Sequence, residues 1–334
     1  MKKEYYLLLI IFLLFIIYIF VPKDTLKEEN SPKEILEKRA VFISYIELGN
    51  NLRGKSASDM KNTIDNMLDT AKDFGFNMII LQVRSFSDAI YKSSIFPSSR
   101  SVVNTEGDEL PFDILKYFIK KSHQKDIELH AWINPYRISN DTDTSIISKD
   151  NPAYELLNTS SVKVIDNVGI YYNPASSEVE SLILKGIEEI IKNYNVDGIH
   201  FDDYFYPKSN DIDSTDYEKA YKDNNSLTLQ EFRLNTISSL IKKTYKLIKS
   251  YDKSLVFGIS PDGNIDNNYN SNYVDTRKFC TEEGYLDYIM PQVYYGFLNS
   301  TKPFEDTVKS WNNLITNNIE LIPALAFYKT GNID

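Results

Sequence analysis

An α/β fold of mostly parallel strands joined by crossover helices, read as a (β/α)8 TIM barrel lacking its final strand and helix, is predicted for this 334-residue chain by three observations. Short apolar runs alternate with longer amphipathic ones, the pattern of repeated βα units. Uncommon polar residues sit at nearly every strand end: Glu47, Gln82 with Arg84, Asn134 with Arg137, Asp202 with Asp203, Asp262, and Gln292 with Tyr294. In a parallel barrel those ends converge on one basin. Finally, Tyr45-Ile46-Glu47-Leu48-Gly49-Asn50 after the first strand lacks the glycine-rich phosphate loop expected of a doubly wound dinucleotide-binding sheet.

Lys2 and Lys3 precede an uncharged run from Tyr5 to Val21, built almost entirely of Leu, Ile, Phe and Tyr. At about 1.5 Å rise per residue the run is slightly short for a bilayer core of about 30 Å, and flanking lysines and tyrosines compensate at the interface. No small-residue cleavage site follows it and no cysteine stands near it to take lipid, so residues 1–22 are expected to be an uncleaved transmembrane signal anchor. The preceding lysines favour a cytoplasmic amino terminus, which makes this a single-pass protein of the cell membrane with its carboxy-terminal domain outside. Residues 23–38, charged and interrupted by Pro32, read as a stalk. Residues 39–334 suffice for one large core.

The strands are expected at Ala40–Ile46, Asn77–Val83, Ile127–Ile133, Gly198–Phe201, Leu255–Ile259, Tyr288–Val293 and Glu320–Ala326. Helices are expected at Ala57–Phe74, with Met60, Ile64, Met67, Leu68 and Ala71 at helical spacing, then at Phe112–Gln124, Glu178–Asn193, Leu229–Lys249 and Phe304–Thr316. In the long helix Phe232, Leu240 and Leu247 are expected to form the apolar side. The segment from Asp141 to Ser177, with Tyr171-Tyr172, reads as a small hairpin over the basin. Seven strands leave a barrel one strand short, with open edges on the first and seventh.

Composition narrows the chemistry. A formal net charge of −10 argues against a nucleic-acid groove. The single cysteine, Cys280, allows neither an internal disulfide nor a thiolate zinc cluster. The three histidines, His123, His130 and His200, lack the HExxH spacing, so neither metal nor cofactor is expected.

The stretch Val196-Asp197-Gly198-Ile199-His200-Phe201-Asp202-Asp203-Tyr204-Phe205-Tyr206-Pro207 carries the most information. An apolar strand ends in two carboxylates followed by aromatics, the materials of a sugar site. Side chains alternate along a strand, so Ile199 and Phe201 share one face while His200 and Asp202 share the other, which in a barrel is the interior. Asp203 then begins the loop.

Several strings resemble the glycosyl-hydrolase-like 10 family of bacterial envelope proteins. They are Arg39-Ala40-Val41-Phe42-Ile43-Ser44-Tyr45, Gln82-Val83-Arg84 leading to Asp88-Ala89-Ile90-Tyr91, His130-Ala131-Trp132-Ile133-Asn134-Pro135-Tyr136-Arg137, Gly258-Ile259-Ser260-Pro261 and Pro291-Gln292-Val293-Tyr294-Tyr295, with the carboxylate stretch between. Phe42 departs from the family's usual tryptophan, and Asp262 from its usual aromatic. The resemblance implies a TIM-barrel glycosidase acting on peptidoglycan glycan strands or a related amino-sugar polymer.

Glycoside hydrolysis needs a protonated acid at the leaving oxygen and, in most schemes, an ionised carboxylate across the sugar. Asp202 or Asp203 is the expected acid and Glu47 the second carboxylate. Alternatively the sugar's own 2-acetamido group attacks the anomeric carbon, one aspartate orients it while the other donates the proton, and Tyr294 binds the acetamido oxygen. Gln82, Arg84, Asp88, Trp132, Asn134, Tyr136, Arg137, His200, Tyr204, Gln292, Tyr294 and Tyr295 are the expected substrate-binding residues. Arg84 and Arg137 suit a carboxylate of muramic acid, and the aromatics suit sugar faces. The competing class is a membrane-tethered glycan-binding or scaffolding protein without turnover.

Overall fold

The computed structural model describes residues 37–202 and 204–329. The expected anchor, nearly all of the stalk and Asp203 lie outside the described residues. Among the described residues no helix is long and apolar enough to cross a membrane.

Seven parallel strands form one sheet in the order β1 (Ala40–Ile43), β2 (Met78–Arg84), β3 (Glu128–Ile133), β7 (Gly198–Phe201), β8 (Val256–Ile259), β9 (Tyr288–Ile289) and β10 (Glu320–Leu321). Strand order follows chain order without reversal, unlike a doubly wound sheet. The sheet curls: Phe42 on β1 lies 5.5 Å from Trp132 on β3 and 5.6 Å from His200 on β7, centroid to centroid, and packs with Met78, Ile80, Tyr288 and Met290. The result is a half-barrel open between β1 and β10 among the described residues, with a lumen lined by alternate side chains.

The other face of the same strands carries Ile79, Leu81, Leu129, Ala131, Ile199, Phe201, Phe257 and Ile259, all buried under the helices. The alternation expected around His200 therefore holds. The connecting helices are α1 (Tyr45–Asn51), α2 (Ala57–Asp73), α3 (Ile114–His123), α4 (Ser177–Asn193), α5 (Ser214–Asp223), α6 (Leu229–Tyr251), α7 (Ile265–Asn270), α8 (Thr276–Thr281) and α9 (Phe304–Leu314). α2 buries Met60, Ile64, Leu68 and Ala71 at the expected spacing, with Met67 partly covered. In α6 the buried stripe is Leu234, Ile237, Leu240, Ile241 and Ile248, so Phe232 and Leu247 flank it.

Three strands end three or more residues earlier than the sequence expectation, each for a local reason, while β2, β3 and β8 differ by one residue. β1 stops at Ile43 because Ser44 caps α1 in a capping box closed by Glu47. β9 and β10 are cut to two residues each by Pro291 and Pro323, which cannot donate to a ladder. Single bridges from Asp262 to Gln292 and from Gln292 to Ala324 continue the strand directions beyond those prolines.

The expected hairpin is a three-stranded antiparallel sheet of β4 (Arg137–Ser139), β6 (Gly169–Tyr172) and β5 (Val162–Ile165), in that spatial order.

Candidate active site at the carboxyl ends of the strands

Asp202 leaves the end of β7, its backbone N–H 3.4 Å from the Ile133 carbonyl on β3. Its side chain is half-buried and accepts from the Gln292 amide, Nε2 to Oδ1 at 3.1 Å. The same amide lies 3.5 Å from the Ser260 carbonyl, so Gln292 ties the ends of β7 and β8 together. Next to them, Gln82 accepts from the Tyr45 backbone N–H at 2.8 Å and donates to Asn134 Oδ1 at 2.6 Å. Tyr294 is close enough for Asp202 to raise its phenol further, on top of the larger effect of burial. The end of β7 and the segment after β9 thus bring the half-buried Asp202, Gln292 and Tyr294 to one basin, while Gln82 and Asn134, 0 % and 1 % exposed, are buried at the ends of β2 and β3.

Below the basin a polar chain runs through the lumen. Ser260 Oγ lies 2.6 Å from His200 Nε2, the Tyr288 hydroxyl lies 2.9 Å from His200 Nδ1 and 2.8 Å from His130 Nδ1, and His130 Nε2 is 3.7 Å from Glu128, which pairs with Lys38 at 2.6 Å. Burial, then the neighbouring His130, pushes His200 well below the usual imidazole range, so it is neutral and one of its nitrogens must accept. Two polarities satisfy the chain: with His130 neutral, Ser260 O–H donates to His200 Nε2, His200 Nδ1–H to Tyr288 and Tyr288 O–H to His130 Nδ1, whereas a doubly protonated His130 reverses all three bonds. The proton on His130 Nε2 then faces Glu128, whose carboxyl that contact, followed by Lys38, lowers to about 2. A glycine at 258 makes room for this chain, since a Cβ there would sit 2.1 Å from the Tyr288 ring.

The remaining expected site residues lie elsewhere. His200 is fully buried with both ring nitrogens engaged, so it braces the floor of the basin rather than facing it. Trp132 lies in the lumen against the edge of Phe42. Tyr136 and Tyr204 are core side chains, 1 % and 0 % exposed. Tyr295 packs over Gly263 beside Asp262. The Asp262 carboxylate accepts from Asn264 N–H at 2.7 Å and the Asn267 amide at 2.6 Å.

Arg84 departs most clearly from the expectation. A register shift between Gln82 and Arg84 in the pairing of β2 with β3 breaks the alternation, and Arg84 turns into the helix layer. There its guanidinium covers Phe96 at 4.5 Å, in space a Cβ at Gly186 would fill at 2.1 Å. Burial lowers its pKa from the usual arginine value.

Asp88 is also buried, accepting from the Phe86 N–H at 3.2 Å, and burial raises its carboxyl to about 6. Arg137 lies at the rim, over Phe86 at 5.0 Å and Tyr45 at 5.7 Å, with Nε donating to the Ser85 carbonyl at 3.2 Å. Glu47 is exposed in the first turn of α1, where its carboxylate accepts from the Ser44 N–H at 2.9 Å and from the Ser44 hydroxyl. Among the described residues no group of three or more His, Cys, Asp or Glu side chains is placed to hold a metal ion.

Sequence reasoning did not single out Ser260 as a link in the lumen chain, nor Tyr288 or His130. Tyr288 was legible only as a strand residue. The buried pair of Asp213 and Arg233, with oxygens 2.8 and 2.6 Å from the guanidinium, also went unread.

A family model described as glycosyl hydrolase-like 10 matches residues 37–333. The glycosyl hydrolase YngK of Bacillus subtilis is 33 % identical over 319 residues, covering 89 % of this chain and 62 % of the relative. The glycosyl hydrolase DigH of Escherichia coli K12 is 30 % identical over 286 residues, covering 79 % and 65 %. The chain thus spans a little under two thirds of the length of these relatives. Among solved structures, the glycoside hydrolase domain of PgaB (BpsB) from Bordetella bronchiseptica superposes with a TM-score of 0.58 at 12 % identity, covering 85 % of this chain and 84 % of that one, a likeness of fold.

Proposed function

The chain belongs to the glycosyl hydrolase-like 10 family, and we propose on that premise that it is a glycoside hydrolase cleaving peptidoglycan glycan strands or a closely related amino-sugar polymer. The observation that carries the assignment to this basin is the seat of Asp202: a half-buried carboxylate at a strand's carboxyl end, held by Gln292 and close to Tyr294. Carboxylates in such a seat perform acid and base work on a sugar.

Glu47 is engaged as a helix cap, which favours the scheme needing no protein nucleophile. The acetamido oxygen of the bound sugar attacks its own anomeric carbon as the glycosidic C–O bond breaks. The leaving oxygen takes a proton from the acid, for which Asp203 is the proposed donor. Asp202 accepts the acetamido N–H and balances the positive charge of the cyclic intermediate. Water then opens that ring from the opposite face, giving its proton to Asp203 and releasing a product of retained configuration. With residues 1–22 as a membrane anchor, the reaction takes place on the outer side of the cell membrane.

The test is release of new reducing ends from stem-peptide-free peptidoglycan by the wild type, Asp202→Asn and Asp203→Asn. Losses of at least about a hundredfold in both variants are expected, with inhibition by a thiazoline analogue of the intermediate. Full activity in both variants would sink the assignment. Binding without release of reducing ends would instead favour a tethered glycan receptor.

A further inference from the structure

A cleft of about 900 Å3 opens where the loop after β7 meets the β4–β6 sheet and the segment around α7. Its described lining includes three cations, Arg137, Lys208 and Arg233, and no carboxylate, although the chain carries a formal net charge of −10. The aromatic walls are Tyr171 on β6, Phe205 and Tyr206 on the loop, and Tyr273 opposite.

This cleft is built rather than incidental. Arg233 lies between Tyr206 at 4.8 Å and Tyr273 at 4.9 Å, and its charge is met by Asp213 behind the wall. It also donates to the Asn210 carbonyl at 3.3 Å, so one buried ion pair fastens the loop running on from Asp202. The Tyr206 N–H lies 3.5 Å from the Asn272 carbonyl across the cleft. Lys208, held on that fastened loop, is exposed and makes no ion pair among the described residues, whereas Asp211 of the same loop is paired with Lys163. An ammonium group without a carboxylate partner, over a floor of tyrosines and asparagines, selects an anion attached to a sugar.

We propose that this cleft is a subsite for a carboxylate-bearing amino-sugar unit, with Lys208 as the residue that discriminates it from a neutral unit. The inference rests on the reading of the substrate as a glycan and adds the requirement for a carboxylate on the unit bound in this cleft.

The test measures binding by calorimetry to full-length Asp202→Asn, which suppresses turnover, and to the same protein carrying Lys208→Gln. The two probes are a tetrasaccharide of alternating N-acetylglucosamine and N-acetylmuramic acid, and that tetrasaccharide with its lactyl carboxylates reduced to alcohols. The acid form is expected to bind about tenfold more tightly at low ionic strength. That preference should shrink in about 1 M salt and largely vanish in Lys208→Gln, whose melting temperature should match its parent. Equal affinity for both probes, or an undiminished preference in Lys208→Gln, would overturn the subsite. Reducing-end release by the wild type is followed in parallel: its absence with the preference intact would overturn the hydrolase reading and leave the subsite standing.

Discussion

His200 and Tyr288 lie ring over ring in the lumen, 5.7 Å between centroids and 16° from parallel, with Nδ1 of one 2.9 Å from the hydroxyl of the other. That hydroxyl also meets His130 at 2.8 Å, so a single phenol satisfies two buried imidazoles. Barrel interiors are ordinarily filled by branched apolar side chains. Here a hydrogen-bonded column takes part of that space and ends at Ser260, whose carbonyl faces the amide holding Asp202.

Tyr288→Phe removes the shared partner and leaves two buried ring nitrogens unmet. At about 1–3 kcal/mol for each orphaned group, a loss of about 2–6 kcal/mol is expected, read from denaturant unfolding. The polarity of the column is checked separately by nitrogen NMR. With His130 neutral, His200 carries its proton on Nδ1 and His130 on Nε2; a proton on His200 Nε2 would mean that His130 is doubly protonated beside Glu128 and that the column runs the other way.

Asp88 makes stability depend on pH in the reverse of the usual carboxylate sense. Its folded value is raised from 3.8 to about 6, chiefly by burial. The fold thus holds this proton more tightly than the unfolded chain does. The resulting stabilisation is fully present below about pH 4 and is lost as pH rises through about 6, by up to about 3 kcal/mol. Asp88→Asn keeps an acceptor for the Phe86 N–H without the charge. It should flatten the dependence of melting temperature on pH between about 4 and 6 and raise stability at neutral pH.

Arg233 and Asp213 form an ion pair with side chains 3 % and 1 % exposed. Arg233→Met strands a buried carboxylate and is expected to cost about 3–5 kcal/mol, while Arg233→Met with Asp213→Leu should recover much of that loss. Because Arg233 also fastens Asn210, hydrogen exchange at residues 206–212 should quicken in both variants. Recovery of stability without recovery of loop protection is the distinguishing result.

How much of this was legible in the sequence depended on whether the determining contact was local. The boundaries of β7 agree because a period of two, opened by Gly198 and closed by paired carboxylates, needs no partner to be read. Ser44-Tyr45-Ile46-Glu47 also bore a local signal, the capping box, but its apolar residues suited a longer strand. Arg84 was misplaced by two residues' worth of regularity, since a shift against β3 cannot be seen along β2 alone. The lumen column joins positions 88 and 158 residues apart in sequence, and nothing near Tyr288 announces that its hydroxyl is shared.

Gln292 offers the sharpest probe of the basin because its side-chain amide donates to Asp202 at 3.1 Å. Gln292→Leu removes the donor with little change of volume. It should lower kcat more than it raises KM, by about tenfold, if the amide orients the working carboxylate. Gln292→Glu is more informative. It places a second carboxylate against the first, and two such groups cannot both ionise cheaply, so the pair's first proton leaves easily and its second only at higher pH. If catalysis requires an ionised Asp202, the acidic limb of the pH profile of kcat/KM should move upward by about one unit or more in this variant, with activity partly regained at alkaline pH. Gln292→Leu lacks the added charge and should show a much smaller displacement. An acidic limb unmoved in Gln292→Glu would mean that the group governing it lies elsewhere in the basin, and the assignment of Asp202 as the ionised partner would fall.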